Sequence, residues 1–279
     1  HNMNGLIFYE DEETARLVKY TGNEAILTLP DNYNGKNYSI SNYAFYNCNS
    51  QMTVVIPENI TSTEEFEGVA GIIVGFNDYT AELYGVIIII DRSGSMDETL
   101  AVGTTRENRL WWAKQGAMAC LDPDILSKTD YIGIMTLDSY NEIILPLTPY
   151  QQEAKILAAI DSIEEAGGGT IATNALNSAR QQLLAQKNIN KYHIIVITDG
   201  DFADLDTAIE AAQTNYANGI TMSIVKIGES DTGTTMSLRL AAAGNGGDPD
   251  GNLTPYEKYV YRDDNRIVLN MREIIKNLR

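Results

Sequence analysis

The stretch from Gly85 to Met96, GVIIIIDRSGSM, decides the fold of the larger part of this 279-residue chain. Val86 to Ile90 are five consecutive β-branched apolar residues, and a polar loop containing Gly94 follows them directly. An apolar run of this length that ends in a polar loop predicts a strand buried on both faces, as in a parallel sheet covered by helices. Asp91 would then lie at the carboxyl end of a central strand, the edge where open α/β sheets bind their ligands.

Strand and helix patterns alternate from this stretch to the end of the chain. Strands are predicted at 86–90, 131–137, 142–147, 192–198, 220–227 and 258–261, and helices at 109–121, 151–165, 173–187, 206–218, 236–243 and 267–278. The second and third strands are separated by too few residues for a parallel crossover, so they must form an antiparallel hairpin. The pattern predicts an α/β fold with a doubly wound, mostly parallel six-stranded sheet whose third strand is antiparallel.

Oxygen-donating side chains occur at two predicted strand ends and in one glycine-rich loop. A D-x-S-x-S pattern follows the first strand, a threonine follows three glycines, and an aspartate ends the fourth strand. The set, in this order, resembles the metal-ion-dependent adhesion site of von Willebrand factor type A domains, and the likeness covers roughly the last two thirds of the chain. The candidate metal ligands are Asp91, Ser93, Ser95, Thr170 and Asp199.

The resemblance implies a fold, an ion and a kind of partner. The family's strand order is 3-2-1-4-5-6, which would bring Asp91 and Asp199 face to face where the order reverses. The implied ion is Mg²⁺, with Mn²⁺ or Ca²⁺ as alternatives. Ser93 and Ser95 would coordinate it directly, Thr170 directly or through water, and the two aspartates through water, so that an acidic side chain of a protein ligand completes the shell. The alternative is that these loops are ordinary turns, with Ser and Thr capping helices.

The first 84 residues differ in their sequence pattern from the rest of the chain, and they contain a repeat of 27 residues. Leu27-Thr28-Leu29-Pro30 recurs as Val54-Val55-Ile56-Pro57, an Ala-Phe-Tyr-Asn-Cys segment ending at Cys48 lies between them, and a shortened third unit begins at Gly71. This pattern resembles the BspA-like leucine-rich repeats of bacterial surface proteins, which implies a buried ladder position for Cys48. The alternative is an irregular β-rich extension. We therefore expect a small β-rich repeat domain at 1–84 and an A-type domain at 85–279.

Composition excludes several classes of partner. The formal net charge is −18, which disfavours nucleic acid and anionic lipid because both require a basic face. Two cysteines, Cys48 and Cys120, lie in different predicted domains and lack a C-x-x-C partner, so we expect neither a disulfide nor a redox or zinc motif. No apolar run is long enough to span a membrane, and we expect no membrane insertion.

Other candidate residues have simpler interpretations. The glycine-rich loop lacks the lysine of a P-loop. His193 has no acid or nucleophile nearby in sequence, so we interpret it as a core or strand-end histidine. The segment 248–252 has its glycine too early for an EF-hand, so we interpret it as a turn. Acidic residues near the donor loops are expected to form a solvated rim; they are Asp97, Glu98, Asp201 and Asp204.

We expect a monomeric, non-enzymatic adhesion or ligand-recognition module, secreted or displayed on a cell surface. One alternative is an intracellular A-domain scaffold subunit of an ATP-driven assembly such as a metal chelatase. Another is a hydrolase with Asp91 as nucleophile, but phosphotransferases of that kind carry a second aspartate where this chain has Ser93.

Overall fold

The computed structural model divides the chain into two compact units, His1–Leu83 and Tyr84–Arg279, which are described separately. The sequence prediction puts the boundary one residue later. The structure describes residues 2–3, 5–41, 43–46, 48, 52–57, 60, 71–74, 83–122, 126, 130–164, 167–187 and 189–278. Asn47 of the repeat motif and the predicted helix end at Glu165 lie outside these residues.

The first unit consists of short strands in two sheets. The strands are β1 (Asn2–Met3), β2 (Leu6–Glu10), β3 (Ala15–Tyr20), β4 (Ile26–Thr28), β5 (Tyr38–Ile40), β6 (Thr53–Ile56) and β7 (Gly71–Val74). One sheet has the order β1-β2-β3-β5 and the other β4-β6-β7. Strands β2 and β3 form an antiparallel pair, which the sequence analysis did not predict.

The repeated segments of the first unit lie side by side. Leu27 pairs with Val54 in the parallel ladder between β4 and β6, so the register equals the sequence repeat, and β6 continues in parallel to β7. Stacking of equivalent strands is how repeats bury faces that one unit cannot bury alone. Cys48 is half-buried, and its thiol donates to the Tyr20 carbonyl at 3.5 Å. Membership of a leucine-rich repeat family stays a prediction.

The second unit alternates strands and helices. Its strands are β8 (Tyr84–Asp91), β9 (Thr99–Val102), β10 (Thr105–Asn108), β11 (Tyr131–Leu137), β12 (Asn141–Pro149), β13 (Lys191–Thr198), β14 (Ile220–Lys226) and β15 (Val260–Tyr261). Its α-helices are α1 (Arg109–Ala119), α2 (Glu153–Asp161), α3 (Thr173–Ala185), α4 (Leu205–Ala217), α5 (Asp231–Ala243) and α6 (Ile267–Asn277).

Six of these strands form one mixed sheet in the order β12-β11-β8-β13-β14-β15. Counted along the chain within this sheet, the arrangement is 3-2-1-4-5-6. Strand β8 pairs in parallel with β11 and β13, and β12 runs antiparallel to β11, which confirms the predicted mostly parallel sheet and its hairpin. All eight residues of β8 are buried, as the apolar run predicted.

Helices cover both faces of the sheet. Helix α1 packs against α2 and α6 on one face, and α4 packs between α3 and α5 on the other. Alternate residues of β8, such as Ile88 and Ile90, join the core under α1, α2 and α6. None of the helices in the described part of the chain is both long and apolar enough to span a bilayer.

Element ends differ from the predictions where the hydrophobic period is weak. Helix α5 begins at Asp231 rather than at residue 236. The prediction was late because the first turn is polar and gives no hydrophobic signal. The helix starts at Asp231 because Ser230 caps it with a hydroxyl that accepts from Gly233 N. Helix α2 is shorter than the predicted 151–165, since a 3₁₀ turn precedes Glu153 and the helix ends at Asp161. The β9–β10 hairpin was not predicted; Gly103, at φ +60°, lies in its turn.

Candidate metal centre

Asp91 and the loop that follows it form the first part of the site. Asp91 is the last residue of β8, and its Oδ1 accepts a hydrogen bond from Ser93 N at 2.8 Å. A 3₁₀ turn then begins at Gly94, and Met96 within it is buried in the core. These contacts hold the hydroxyls of Ser93 and Ser95 together, with their oxygens 3.4 Å apart.

The glycine-rich loop packs directly on this turn. Gly94 N donates to the Gly168 carbonyl at 3.1 Å, and Gly167 N donates to the Arg92 carbonyl at 3.2 Å. Gly168 has a φ of +87°, and a Cβ there would lie 2.5 Å from Ser139 Oγ, so the loop requires glycine at this position. The result is that Thr170 Oγ1 donates to Ser93 Oγ at 3.0 Å.

The end of β13 supplies the third part of the site. Thr198 Oγ1 donates to Asp91 Oδ2 at 2.6 Å, which joins the ends of β8 and β13. The next residue, Asp199, places Oδ2 3.2 Å from Arg109 Nη1. Asp199 Oδ1 is buried and has no hydrogen-bond partner in the described part of the chain. Arg109 Nη1 also donates to the Ser95 carbonyl at 3.2 Å, which connects Asp199 to the first loop.

Two buried carboxyl groups therefore share one edge of the sheet. Burial raises the pKa of Asp91 to about 6; hydrogen bonds from Ser93 and Thr198 oppose this rise, and the charge of Asp199 adds to it. Burial also lowers the pKa of Lys226, at the end of the neighbouring β14, while the charge of Asp199 acts in the opposite direction. The site thus brings two carboxyl groups and the Arg109 guanidinium together in a place with little water to screen their charges.

These residues fit a hard divalent cation. The donor set consists of two carboxylates and three hydroxyls, which are the oxygen ligands that Mg²⁺ prefers. An unpartnered buried carboxylate oxygen such as Asp199 Oδ1 is costly unless a cation or a donor reaches it. Among the described residues no group of three or more His, Cys, Asp or Glu could hold a metal ion, so any cation here depends on the hydroxyls.

Three residues position the site in roles that were not predicted from the sequence. Thr198 and Arg109 hold the two aspartates, and Asp204 accepts from Ala172 N at 2.9 Å and Thr173 N at 2.8 Å, at the start of α3. Asp204 therefore fixes the segment after Thr170 rather than forming a solvated rim. For Arg109 the sequence does contain a signal, because Asn108 is a favourable N-cap residue directly before it. Asn108 Oδ1 accepts from Trp111 N and so places Arg109 in the first turn of α1.

The remaining candidates have structural contacts. His193 is buried, with Nδ1 2.7 Å from Thr221 Oγ1 and Nε2 3.0 Å from Ser223 Oγ, in agreement with its interpretation as a core histidine. In the segment 248–252, Asp250 N donates to Asp248 Oδ1, as in a turn.

Known proteins are similar in sequence to the second unit. Residues 86–202 match the model of the von Willebrand factor type A domain. The chain is 32% identical over 170 residues to the uncharacterized protein YfbK of Escherichia coli (strain K12), a match that covers 58% of this chain. The chain spans only 27% of the length of that relative.

Two solved structures share the fold. An aerotolerance-related membrane protein from Bacteroides fragilis matches with a TM-score of 0.51 and 21% identity, over 69% of this chain and 98% of that one. The pilus adhesin SpaC from Lactobacillus rhamnosus GG matches with a TM-score of 0.54 and 13% identity, over 73% of this chain and 31% of that one. The match over residues 86–202 supports a von Willebrand factor type A domain within the second unit, and the two solved structures share the fold of this unit.

Proposed function

We propose that the protein is a non-enzymatic recognition module that binds an acidic side chain of a protein ligand through a divalent cation, Mg²⁺ or alternatively Mn²⁺ or Ca²⁺. The observation that carries the proposal is the convergence of three hydroxyls and two buried carboxylates on one edge of the sheet, with Asp199 Oδ1 left without a protein donor in the described residues.

Each of the five residues has a role in this proposal. Ser93, Ser95 and Thr170 would hold the cation with neutral oxygens, while Asp91 and Asp199 supply negative charge. When bound, the cation supplies a Lewis-acidic coordination position for a carboxylate from outside. Both oxygens of Asp91 already accept protein hydrogen bonds, from Ser93 N and Thr198 Oγ1. These bonds reduce the negative charge that Asp91 offers the ion, and an acidic side chain of the partner would make up the difference.

The surroundings of the site indicate the chemistry of the partner surface. Tyr140 is 81% exposed, on a turn fixed to the Thr170 loop by Gly169 N donating to Ser139 Oγ and Ile171 N donating to the Asp138 carbonyl. An exposed aromatic ring on a rigid turn is a typical anchor at interfaces. Exposed carboxylates lie nearby in sequence, at Asp97, Glu98 and Asp201. We therefore propose a partner whose acidic residue has basic and apolar neighbours.

We propose a monomer that is secreted or displayed on a cell surface. The A-type domain of this chain has the fold of a pilus adhesin and of a membrane protein, and the parallel 27-residue register of the first unit agrees with repeats of surface proteins. These likenesses support the location without identifying the ligand.

Calorimetric titration with Mg²⁺ and Mn²⁺ tests the metal site first. Asp91→Ala and Thr170→Ala should each weaken binding at least about tenfold, while Thr214→Ala, an exposed position on α4, should not. Unchanged affinity in both site variants would show that the loops are only turns.

An array of peptides in acidic and amide-matched pairs then tests recognition. The full chain should be retained by a subset of Asp or Glu peptides in Mg²⁺ and released by EDTA, and the Asn or Gln counterparts should not retain it. Equal retention of acidic and amide peptides, or retention that Thr170→Ala does not reduce, would contradict the proposal.

A further inference from the structure

Arg109 is a cation built into the candidate metal centre. It is the first residue of α1, and its side chain is 17% exposed, whereas that of Asp199 is 4% exposed. Its Nη1 lies 3.2 Å from Asp199 Oδ2 and donates to the Ser95 carbonyl at the same distance. The guanidinium therefore contacts residues of two of the three donor segments.

The surrounding chain keeps the guanidinium in this place. Glu98 Oε2 lies 2.8 Å from Arg109 Nη2, and Arg109 N donates to the Glu98 carbonyl at 3.0 Å. Gly228 has a φ of +76°, and a Cβ there would lie 2.9 Å from the guanidinium carbon, so this glycine provides the space that the side chain occupies. Arg109 is thus held by its own helix start and by the Glu98 carboxylate, and Gly228 leaves room for its side chain.

A fixed positive charge beside Asp199 has two opposite electrostatic consequences. It repels a divalent cation that draws on the same carboxylate, and the repulsion is strong because the two groups are shielded from water. It attracts a partner carboxylate that approaches the loaded site, because that group would meet the ion and the guanidinium together. Asp199 can serve both groups, since Oδ2 faces Arg109 while Oδ1 has no partner in the described residues.

Building on the function proposed above, we propose that Arg109 is a built-in counter-ion of Asp199. It weakens binding of the divalent cation to the protein alone and strengthens binding of a carboxylate to the loaded site. The site would then hold its ion firmly only when an acidic ligand is present, which couples the two binding events.

Titration of the full chain with Mn²⁺, with and without acetate as the probe carboxylate, tests this proposal. Arg109→Gln should bind Mn²⁺ at least about tenfold more tightly than the unsubstituted protein, and acetate should improve its Mn²⁺ affinity less. Arg239→Gln is the matched control: it removes the same charge from α5, where Arg239 pairs with Asp250, and should leave both values unchanged. Arg109→Met provides a second variant with an apolar side chain if the glutamine variant has a reduced melting temperature.

Equal or weaker Mn²⁺ binding by folded Arg109 variants would overturn the proposal, as would an acetate effect of the same size as in the unsubstituted protein. If the unsubstituted protein binds Mn²⁺ and Asp91→Ala does not, such a result leaves the metal-dependent function standing. If neither the unsubstituted protein nor Arg109→Gln binds Mn²⁺, both proposals fail.

Discussion

At the residue scale, Thr198 is the side chain that makes a buried carboxylate tolerable. Its hydroxyl donates to Asp91 Oδ2 at 2.6 Å and accepts from Gly200 N at 3.0 Å. Thr198→Val preserves the shape of the side chain but removes both interactions, so the free energy of unfolding at pH 7 should fall by about 1–3 kcal/mol. Urea denaturation measures the change. Thr235→Val, at an exposed position on α5, is the control. An equal loss in both variants would show that the buried hydrogen bonds of the Thr198 hydroxyl do not stabilise the fold more than an exposed threonine does.

His193 is a second buried group whose charge would be costly. Burial lowers its pKa to about 3, against about 6.5 for an unfolded histidine. The unfolded chain therefore binds the proton more readily, and the contribution of His193 to stability is complete above pH 6.5 and is lost as the pH falls towards 3. Between pH 7 and pH 5 the loss from this residue should be about 2 kcal/mol.

His193→Gln isolates this contribution. Glutamine can hydrogen-bond with Thr221 and Ser223 but does not titrate, so the variant should lose less stability than the unsubstituted protein over the same pH interval. Denaturation with urea at the two pH values gives the comparison. Parallel pH dependence in the two proteins would mean that His193 has the same pKa in the folded and unfolded states.

At the scale of elements, the sequence predicted best where one hydrophobic pattern decides the structure. Strand β8 and the β11–β12 hairpin follow from an apolar run and a short connection. The β9–β10 hairpin was missed because β10 is entirely polar and β9 has only four residues, which is too short for an alternation of apolar and polar residues to stand out. The donor residues could be proposed from spacing, whereas the contact of Arg109 with Asp199, 90 positions apart, depends on packing that no local pattern encodes.

Helix α3 owes its first turn to a residue outside it. Its N-cap position is Ala172, which cannot cap, and Asp204 accepts from Ala172 N and Thr173 N instead. Asp204→Ala should therefore lower the free energy of unfolding by about 1–2 kcal/mol, the usual cost of a lost cap. Thermal unfolding followed by circular dichroism measures the effect, with Asp206→Ala, an exposed position on α4, as the control. If the two variants melt alike, the cap is not a significant source of stability.

At the scale of the whole molecule, the two units have separate cores. The buried residues under α1, α2 and α6 all belong to the second unit, and those around Leu17 and Phe45 all belong to the first. A domain with its own core can fold alone. We therefore expect residues 84–279, expressed without the first unit, to unfold in one cooperative transition and to bind Mn²⁺ with the affinity of the full chain. Calorimetric melting and Mn²⁺ titration of both proteins provide the measurements.

A broad, non-cooperative transition in the shorter protein would mean that β8, which begins at the boundary, needs the preceding residues to pair correctly with β11 and β13. Cooperative unfolding with altered Mn²⁺ affinity would instead mean that the first unit acts on the site itself, and the binding function would belong to the two units jointly.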